Sequence, residues 1–205
     1  MKKLFVAGLV SLALSSSLAQ AKFFIGVDAG YDYSEVALKQ ASRGDILWGS
    51  GVFHNSVFDF HSWVAGANLG TSHNITDNLG LRWILGANYA QAVDPKNTLQ
   101  NLDFYLGVDA LINFINTGSM SLGAIAGIEG NLYMYSFTNG LFDNQLGSRQ
   151  GSVGANARLG LGLGIGEHNR LELLVRIPIM QTMIAEHGGA FYSPLRFTLG
   201  YKILF

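Results

Sequence analysis

The sequence has no cysteine, three prolines and few charged residues. Without cysteine the chain has no disulfide, no thiolate metal site and no cysteine nucleophile. Asp, Glu, Lys and Arg make up 13% of the residues, whereas globular proteins usually carry about 25%. This composition does not suit a disordered chain, which needs high charge and low hydrophobicity. A formal net charge of −1 gives no electrostatic reason to expect a nucleic-acid partner.

The first 21 residues have the three parts of a secretory signal peptide. Met1-Lys2-Lys3 is positively charged, residues 4–14 are apolar, and Ala19-Gln20-Ala21 matches the small-residue cleavage pattern. An uncleaved anchor helix would need about 20 apolar residues, which this segment lacks. We therefore predict that residues 1–21 are a cleaved signal peptide and that residues 22–205 form one domain.

Beyond the signal peptide, the longest uncharged window is typical of two strands rather than a helix. Residues 110–128 contain no charge, but Asn116-Thr117-Gly118-Ser119 in their middle indicates a turn. Both halves alternate with a period of two. The same alternation recurs in eight segments, at about 23–33, 58–72, 79–89, 102–114, 120–135, 153–165, 170–183 and 194–205.

The length of these segments favours a membrane barrel. Strands of soluble proteins usually run about 5–6 residues, whereas a tilted strand needs about 9–11 residues to cross a bilayer. Lipid-facing backbone groups must all be paired, so such a sheet has to close. The connections alternate between long and short, as in barrels of bacterial outer membranes. The sequence therefore predicts an all-β fold, an eight-stranded antiparallel up-and-down transmembrane β-barrel in the bacterial outer membrane.

The alternation also places most charged side chains of these eight segments on the inward face. Side chains just fill the interior of an eight-stranded barrel, and buried charges need partners. We predict a lumen charge network and little or no conductance, with Arg158 near Glu129 and Glu172. The glycines in residues 154–164 either receive Tyr105, Tyr133 or an arginine from opposite strands, or leave a hydrated slot. The predicted network comprises Asp28, Asp32, Arg82, Asp103, Asp109, Glu129, Arg158, Glu172, Arg176, Arg196 and Lys202.

The last strand and the long connections suggest contacts with other molecules. The strand alternates and ends in Phe205, so we predict that Tyr201 and Phe205 form a signal for the barrel assembly machinery. The connections 34–57 and 136–150 are predicted to be external loops that contact outer-membrane lipid, lipopolysaccharide or host surface molecules. The alternative is that these loops fold on each other over the barrel mouth. Their apolar candidates are Trp48, Phe53, Phe137 and Phe142.

Candidates for catalysis are few. His61 and Ser62 are adjacent in a strand, so their side chains point to opposite faces and form no catalytic pair. Glu186, His187 and Ser193 share one loop, where ordinary loop polarity explains them equally well. We predict no catalytic, cofactor-binding or metal residues and a structural or surface-interaction, adhesin-like role. The alternatives are a narrow porin-like channel for small solutes and a lipid-A-modifying enzyme.

Several motifs in the second half resemble the C-terminal barrel of the Helicobacter outer-membrane protein family. They are GVDALINFIN at 107–116, LGAIAGI at 122–128, NARLG at 156–160, HNRLEL at 168–173 and RIP at 176–178. The resemblance covers about residues 100–205 and implies an outer-membrane barrel in a family of adhesins and porins. The large members carry an adhesin domain inserted before the barrel, for which this chain has no room. The family's binding residues are therefore not carried over to any position here.

Overall fold

The computed structural model describes residues 21–41, 46–48, 58–92, 98–138, 150–184 and 189–205. The long strands pair antiparallel in chain order, and the last of them pairs with the first. They form the closed eight-stranded barrel that the sequence predicts, so the predicted fold class is confirmed. The predicted signal peptide, apart from Ala21, lies outside the described residues. The strands are Lys22–Ala41 (β1), Ile46–Trp48 (β2), Phe58–Asn74 (β3), Leu79–Ala92 (β4), Thr98–Asn116 (β5), Met120–Thr138 (β6), Gln150–Ile165 (β7), Asn169–Met183 (β8) and Gly189–Leu204 (β9).

The barrel is apolar outside and polar inside. Strand β5 shows the pattern: Leu102, Phe104 and Leu106 are exposed on the outer face, while Asp103 and Tyr105 are buried in the interior. Apolar side chains on the outer face suit contact with lipid. Closure of the barrel also pairs the backbone groups of the wall with one another, so that they need no water. The described part of the chain contains no helix long and apolar enough to cross a membrane.

Six of the eight wall strands are longer than the alternation predicts at the end of the long connections. β1 continues to Ala41, and β6 continues to Thr138, so Phe137 lies in a strand opposite Leu99 and its assignment to an external loop is wrong. Trp48 lies in the short strand β2 rather than in a loop. With 19 residues, β5 is about 60 Å long, more than the apolar band of about 25 Å requires even when tilted. Beyond that band the outward side chains no longer face hydrocarbon and need not be apolar, so alternation no longer marks the strand.

Three short turns lie at the end of the barrel that also holds residues 22 and 205. They follow Asn74, Asn116 and Ile165. Gly118 and Gly166 have φ angles of 79° and 64°, in the left-handed region where glycine carries no Cβ penalty. Outer-membrane barrels have short turns on the periplasmic side, so we expect this end to face the periplasm and the opposite end to be extracellular.

Two prolines end the closing ladder between β8 and β9. The last pair in this ladder is Arg176 with Arg196. Two residues further in the same register, Pro178 would meet Pro194, and neither has a backbone N–H to donate. The register of β8 against β7 also shifts here, at the bulged residue Ile179. Above this point β8 pairs with β2, so a segment of the first long connection lies on the edge that β9 leaves.

Labelling of single cysteines tests the orientation, because the chain has no native cysteine. We expect Thr117→Cys, in a short turn, to resist a membrane-impermeant maleimide in intact cells. Ser148→Cys, in the connection between β6 and β7, should react. Permeabilising the outer membrane should make both variants react, which controls for buried thiols. Labelling of position 117 alone in intact cells would show that the orientation is inverted.

Candidate functional site

The structure places the whole predicted charge network inside the barrel. The inward face of every wall strand except β3 contributes to it, and each member is at most 4% exposed. Charges buried to this extent are costly unless they are paired and hydrogen-bonded. The pairing of these side chains therefore decides what the interior of the barrel can do.

Arg158 and Arg82 form one half of a charge cluster. The Nε of Arg158 donates to Oδ1 of Asp109 at 2.8 Å, and its Nη1 donates to Glu129. Arg82 contacts the other oxygen of Asp109, with Nη2 2.6 Å from Oδ2, and its Nη1 donates to Glu172. Each arginine thus bridges two carboxylates with separate nitrogens, a geometry that the guanidinium fork allows and an ammonium does not.

Lys202 and Arg176 close this cluster into a circle. The Nζ of Lys202 lies 3.1 Å from Oε2 of Glu172 and 3.6 Å from Oδ1 of Asp28. Arg176 lies 3.3 Å from Asp28 and 3.9 Å from Glu129. Cations and anions therefore alternate around a closed circuit, which we call the ion-pair ring. Its members in order are Lys202, Glu172, Arg82, Asp109, Arg158, Glu129, Arg176 and Asp28.

A second cluster lies closer to the extracellular end. Arg196 contacts Asp32 through two parallel hydrogen bonds of 2.6 and 2.7 Å, and its third nitrogen lies 2.6 Å from Asp103. Asn88 donates to the other oxygen of Asp103 at 2.6 Å. This is the bidentate arrangement that makes arginine–carboxylate pairs strong and directional.

Inward asparagines occupy further lone pairs of the ring carboxylates. Asn68 on β3 donates to Asp28 at 2.7 Å, so the one wall strand without a ring charge still contributes. Asn156 and Asn131 donate to the same oxygen of Glu129, at 2.9 and 3.2 Å. Such additional hydrogen bonds offset the desolvation of a buried carboxylate.

Aromatic rings fill the space around the ring, and glycines face some of them. The guanidinium of Arg176 lies 4.5 Å from the centroid of the Tyr105 ring, and that of Arg158 lies 5.6 Å from it. A Cβ on Gly86 would lie 2.5 Å from the Tyr105 ring, so only glycine leaves room for it. Gly154 lies under Tyr133 in the same way, with 3.2 Å between the ring and an added Cβ. At these positions the glycines receive side chains instead of leaving a slot.

Arg170 belongs to this interior and was not in the predicted network. Its Nε lies 2.9 Å from Oε1 of Glu172, and its guanidinium covers Gly162. The charge of Arg170 gives the described interior as many cations as anions. Arg170 lies two residues before Glu172 on β8, so the two side chains share the inward face, and this spacing is the sequence feature that could have identified Arg170. Glu172 pairs with Arg82, Arg170 and Lys202, so its expected pairing with Arg158 is wrong.

Little space remains among these side chains. A cavity beside the ring, between Phe24, Arg82 and Lys202, has a volume of about 10 Å³. That is about the smallest space that holds one water molecule. A wider, polar recess of about 190 Å³ opens at the periplasmic end, where Arg170 separates it from the ring.

The other predicted residues lie apart from the lumen. Trp48 is 63% exposed on β2, and Phe53 and Phe142 lie outside the described residues. His61 is exposed and accepts or donates a hydrogen bond with Tyr31, while Ser62 is buried, so the two point to opposite faces. Glu186 and His187 lie outside the described residues, as does the side chain of Ser193. No three His, Asp or Glu side chains in the described ranges are grouped to hold a metal ion.

The predicted assembly residues lie at the periplasmic end of the outer face. Phe205 follows β9, donates its backbone N–H to the carbonyl of Phe23 at 2.8 Å, and has its ring 6.2 Å from that of Phe23. Tyr201 points outward from the same strand. Both rings are therefore exposed on the outer side of the barrel.

Replacing Phe205 tests its proposed part in assembly. We expect Phe205→Ser to lower the amount of folded protein in the outer membrane and leave unfolded chains in the periplasm. Phe205→Tyr should assemble nearly normally, because it keeps the ring. Heat-modifiability in gels of separated membrane and periplasmic fractions measures both. Equal folded amounts of the two variants would contradict a role for this ring in assembly.

A closed eight-stranded barrel with an apolar outer face and a polar interior defines a small outer-membrane protein. The model of the Helicobacter outer membrane protein family matches residues 66–205. The chain therefore belongs to that family, and the predicted localisation in the bacterial outer membrane is confirmed.

One solved structure, that of NspA, agrees on the fold, and two further outer-membrane proteins show a weaker similarity. Neisserial surface protein A (NspA) is 15% identical, with a TM-score of 0.57 over 90% of this chain and 99% of its own. Ail, the attachment invasion locus protein of Yersinia pestis, is 9% identical, with a TM-score of 0.44 over 89% of this chain and 98% of its own. A major outer membrane protein from Thermus thermophilus is 14% identical, with a TM-score of 0.45 over 91% of this chain and 100% of its own. No curated protein matches the sequence.

Proposed function

We propose that this protein is a non-conducting outer-membrane barrel with a structural and surface-interaction role. The ion-pair ring carries the proposal, because it crosses the lumen with paired charges from seven wall strands. A solute would have to break several buried pairs to pass. Leaving one member of such a pair buried without its partner costs about 3–5 kcal/mol, so spontaneous opening of the whole ring is rare.

A closed lumen leaves the surfaces as the places where the protein acts. At the extracellular end Trp48 is exposed on a strand held by backbone pairing, which fixes its position beside β8. Large exposed aromatic side chains often mark interaction sites. We propose that this end contacts lipopolysaccharide or host surface molecules, in an adhesin-like manner.

We propose no enzymatic activity. A lipid-A-modifying hydrolase needs a nucleophile next to a general base. The nearest candidate pair along the strands, His61 and Ser62, points to opposite faces. Mass spectrometry of lipid A from cells with and without the protein tests this, and a protein-dependent loss of an acyl chain would contradict it.

Conductance and binding measured on the same preparation test the proposed function. The gel shift first confirms that the protein has refolded. The refolded protein should then give no current steps in planar bilayers, whereas a general porin, the positive control, should give regular current steps. The same protein should bind host epithelial cells, and Trp48→Ala should weaken that binding while leaving the gel shift unchanged. Regular current steps would favour the porin-like alternative, and binding that ignores Trp48 would contradict the surface role.

A further inference from the structure

The outer face of β4, β5 and β6 has a groove at its extracellular end. Its volume is about 380 Å³. The groove opens on the wall rather than in the lumen, because five of its seven described lining residues belong to the outward face, the other two being the buried Asn101 and Tyr135. The outward-facing lining residues are Tyr89, Gln100, Leu102, Met134 and Ser136.

Strand pairing arranges the groove in two rows. Tyr89 pairs with Leu102, and Leu102 pairs with Met134, which gives an apolar row across three strands. One step nearer the extracellular end, Gln91 pairs with Gln100, and Gln100 pairs with Ser136, which gives a polar row. The apolar row thus lies deeper in the membrane than the polar row. The Trp63 ring, 5.5 Å from that of Tyr89, borders the groove on the β3 side.

The two amides lie where the wall leaves the hydrocarbon, at the level of the acyl linkages of an outer-leaflet lipid, and an amide there needs hydrogen-bond partners. Tyr89 donates from its hydroxyl to Oε1 of Gln91 at 3.4 Å, a contact that does not use the amide N–H₂ of Gln91. An amide side chain both donates and accepts hydrogen bonds. It therefore suits a lipid whose linkages contain amide N–H, ester carbonyl and hydroxyl groups, more than one with ester carbonyls alone.

We propose that this groove binds an outer-leaflet glycolipid of the lipid A type. Its acyl chains lie along Tyr89, Leu102 and Met134, and its acyl-linkage amides and hydroxyls contact Gln91 and Gln100. The described lining residues carry no charge, so the groove recognises the linkage region and not the phosphates. The inference rests on the outer-membrane location and on the extracellular position of the groove, and it does not depend on the closed lumen.

The same chain provides a control groove at the other end of the wall. A second outward recess of about 150 Å³ lies in the periplasmic half of the barrel, on β6 to β9. Its outward side chains are all leucines, so it offers hydrocarbon contact without a row of amides. They are Leu122, Leu161, Leu163, Leu171, Leu173 and Leu199.

Lipids that remain bound after extraction in mild detergent test the proposal. Protein is purified from outer membranes, and lipid A and phospholipid per folded barrel are measured by mass spectrometry. We expect the double variant Gln91→Leu/Gln100→Leu to retain about tenfold less lipid A, as expected for the loss of about two hydrogen bonds, with phospholipid unchanged. Both substitutions replace an outward side chain by one of similar size and leave the strand pairing unchanged, so folding should be preserved.

The control variant is Leu163→Ala in the periplasmic recess, which should leave bound lipid A unchanged. Unchanged lipid A in the double glutamine variant would overturn the proposal. So would an equal loss of lipid A in Leu163→Ala, because the lipid would then be held by the whole apolar surface. If the double glutamine variant loses phospholipid and keeps its lipid A, the groove binds phospholipid, and the proposal is also overturned.

Discussion

Replacing Arg158 by alanine should destabilise the folded barrel by about 3–5 kcal/mol. Arg158 is fully buried and bridges Asp109 to Glu129. Without its guanidinium the two carboxylates remain desolvated, and each keeps a single ring cation, Arg82 or Arg176. The Tyr105 ring also loses one of its two cation contacts. Urea unfolding in detergent or vesicles, followed by the gel shift of the folded barrel, measures the change in the midpoint.

Lys22→Ala is the matched control for Arg158→Ala. Lys22 is also a cation on a wall strand, but it is exposed at the periplasmic end, and its Nζ lies 3.4 Å from the carbonyl of Glu167. Exposed charge contacts contribute about 0–1 kcal/mol. The midpoint of this variant should stay close to that of the wild type. If both variants unfold at the same urea concentration, the inward charges are hydrated, and the closed lumen is no longer supported.

The membrane-embedded part of the fold could be predicted because lipid imposes a strict rule there. Outward residues such as Leu102 and Leu106 must be apolar, and a period of two follows directly from that. The rule ends where the wall leaves the bilayer. For this reason the sequence predicts a loop at Phe137, although its backbone continues β6. The strand pairing of Trp48 could not be predicted from the sequence for the same reason.

The inward direction of the charges could be predicted, but their partners could not. Alternation tells which face a side chain occupies, whereas contacts across the lumen depend on the stagger of strands on opposite sides. Arg82 on β4 meets Glu172 on β8, and no pairing along the chain indicates that contact. Arg158 on β7 meets Asp109 on β5, two strands away, in preference to the Glu172 of its neighbour. These contacts depend on the position of each side chain along the barrel axis, and that position follows from the geometry of the closed barrel.

The end of the ladder between β8 and β9 could not be predicted from the two prolines alone, because their effect depends on the register in which the strands pair. Pro178 and Pro194 are each tolerable in a strand that lacks a partner on one side. Only the pairing of Arg176 with Arg196 shows that the two prolines would face each other. Two residues without a backbone N–H at one place prevent β8 and β9 from continuing the ladder. The free edge of β8 is then taken by β2.

Replacing Gly86 by valine should destabilise the barrel by about 1–3 kcal/mol, the usual cost of overpacking a filled interior. An added Cβ at Gly86 would lie 2.5 Å from the Tyr105 ring, and the ring has little freedom to move. Its hydroxyl lies 3.5 Å from Asp28 and 3.4 Å from Arg176, so any shift of the ring also disturbs the ion-pair ring. The folded fraction after refolding and the urea midpoint should both fall.

Gly130→Val is the matched control for Gly86→Val. Gly130 lies on the outer face of β6, and an added Cβ there would have no heavy atom within 4 Å. Valine favours strands and suits a lipid-facing position, so this variant should be as stable as the wild type or slightly more stable. The two substitutions add the same side chain to the same barrel and differ in the face that receives it. A smaller effect at Gly86 than at Gly130 would mean that the interior has room to yield, and a hydrated lumen would then replace the packed one.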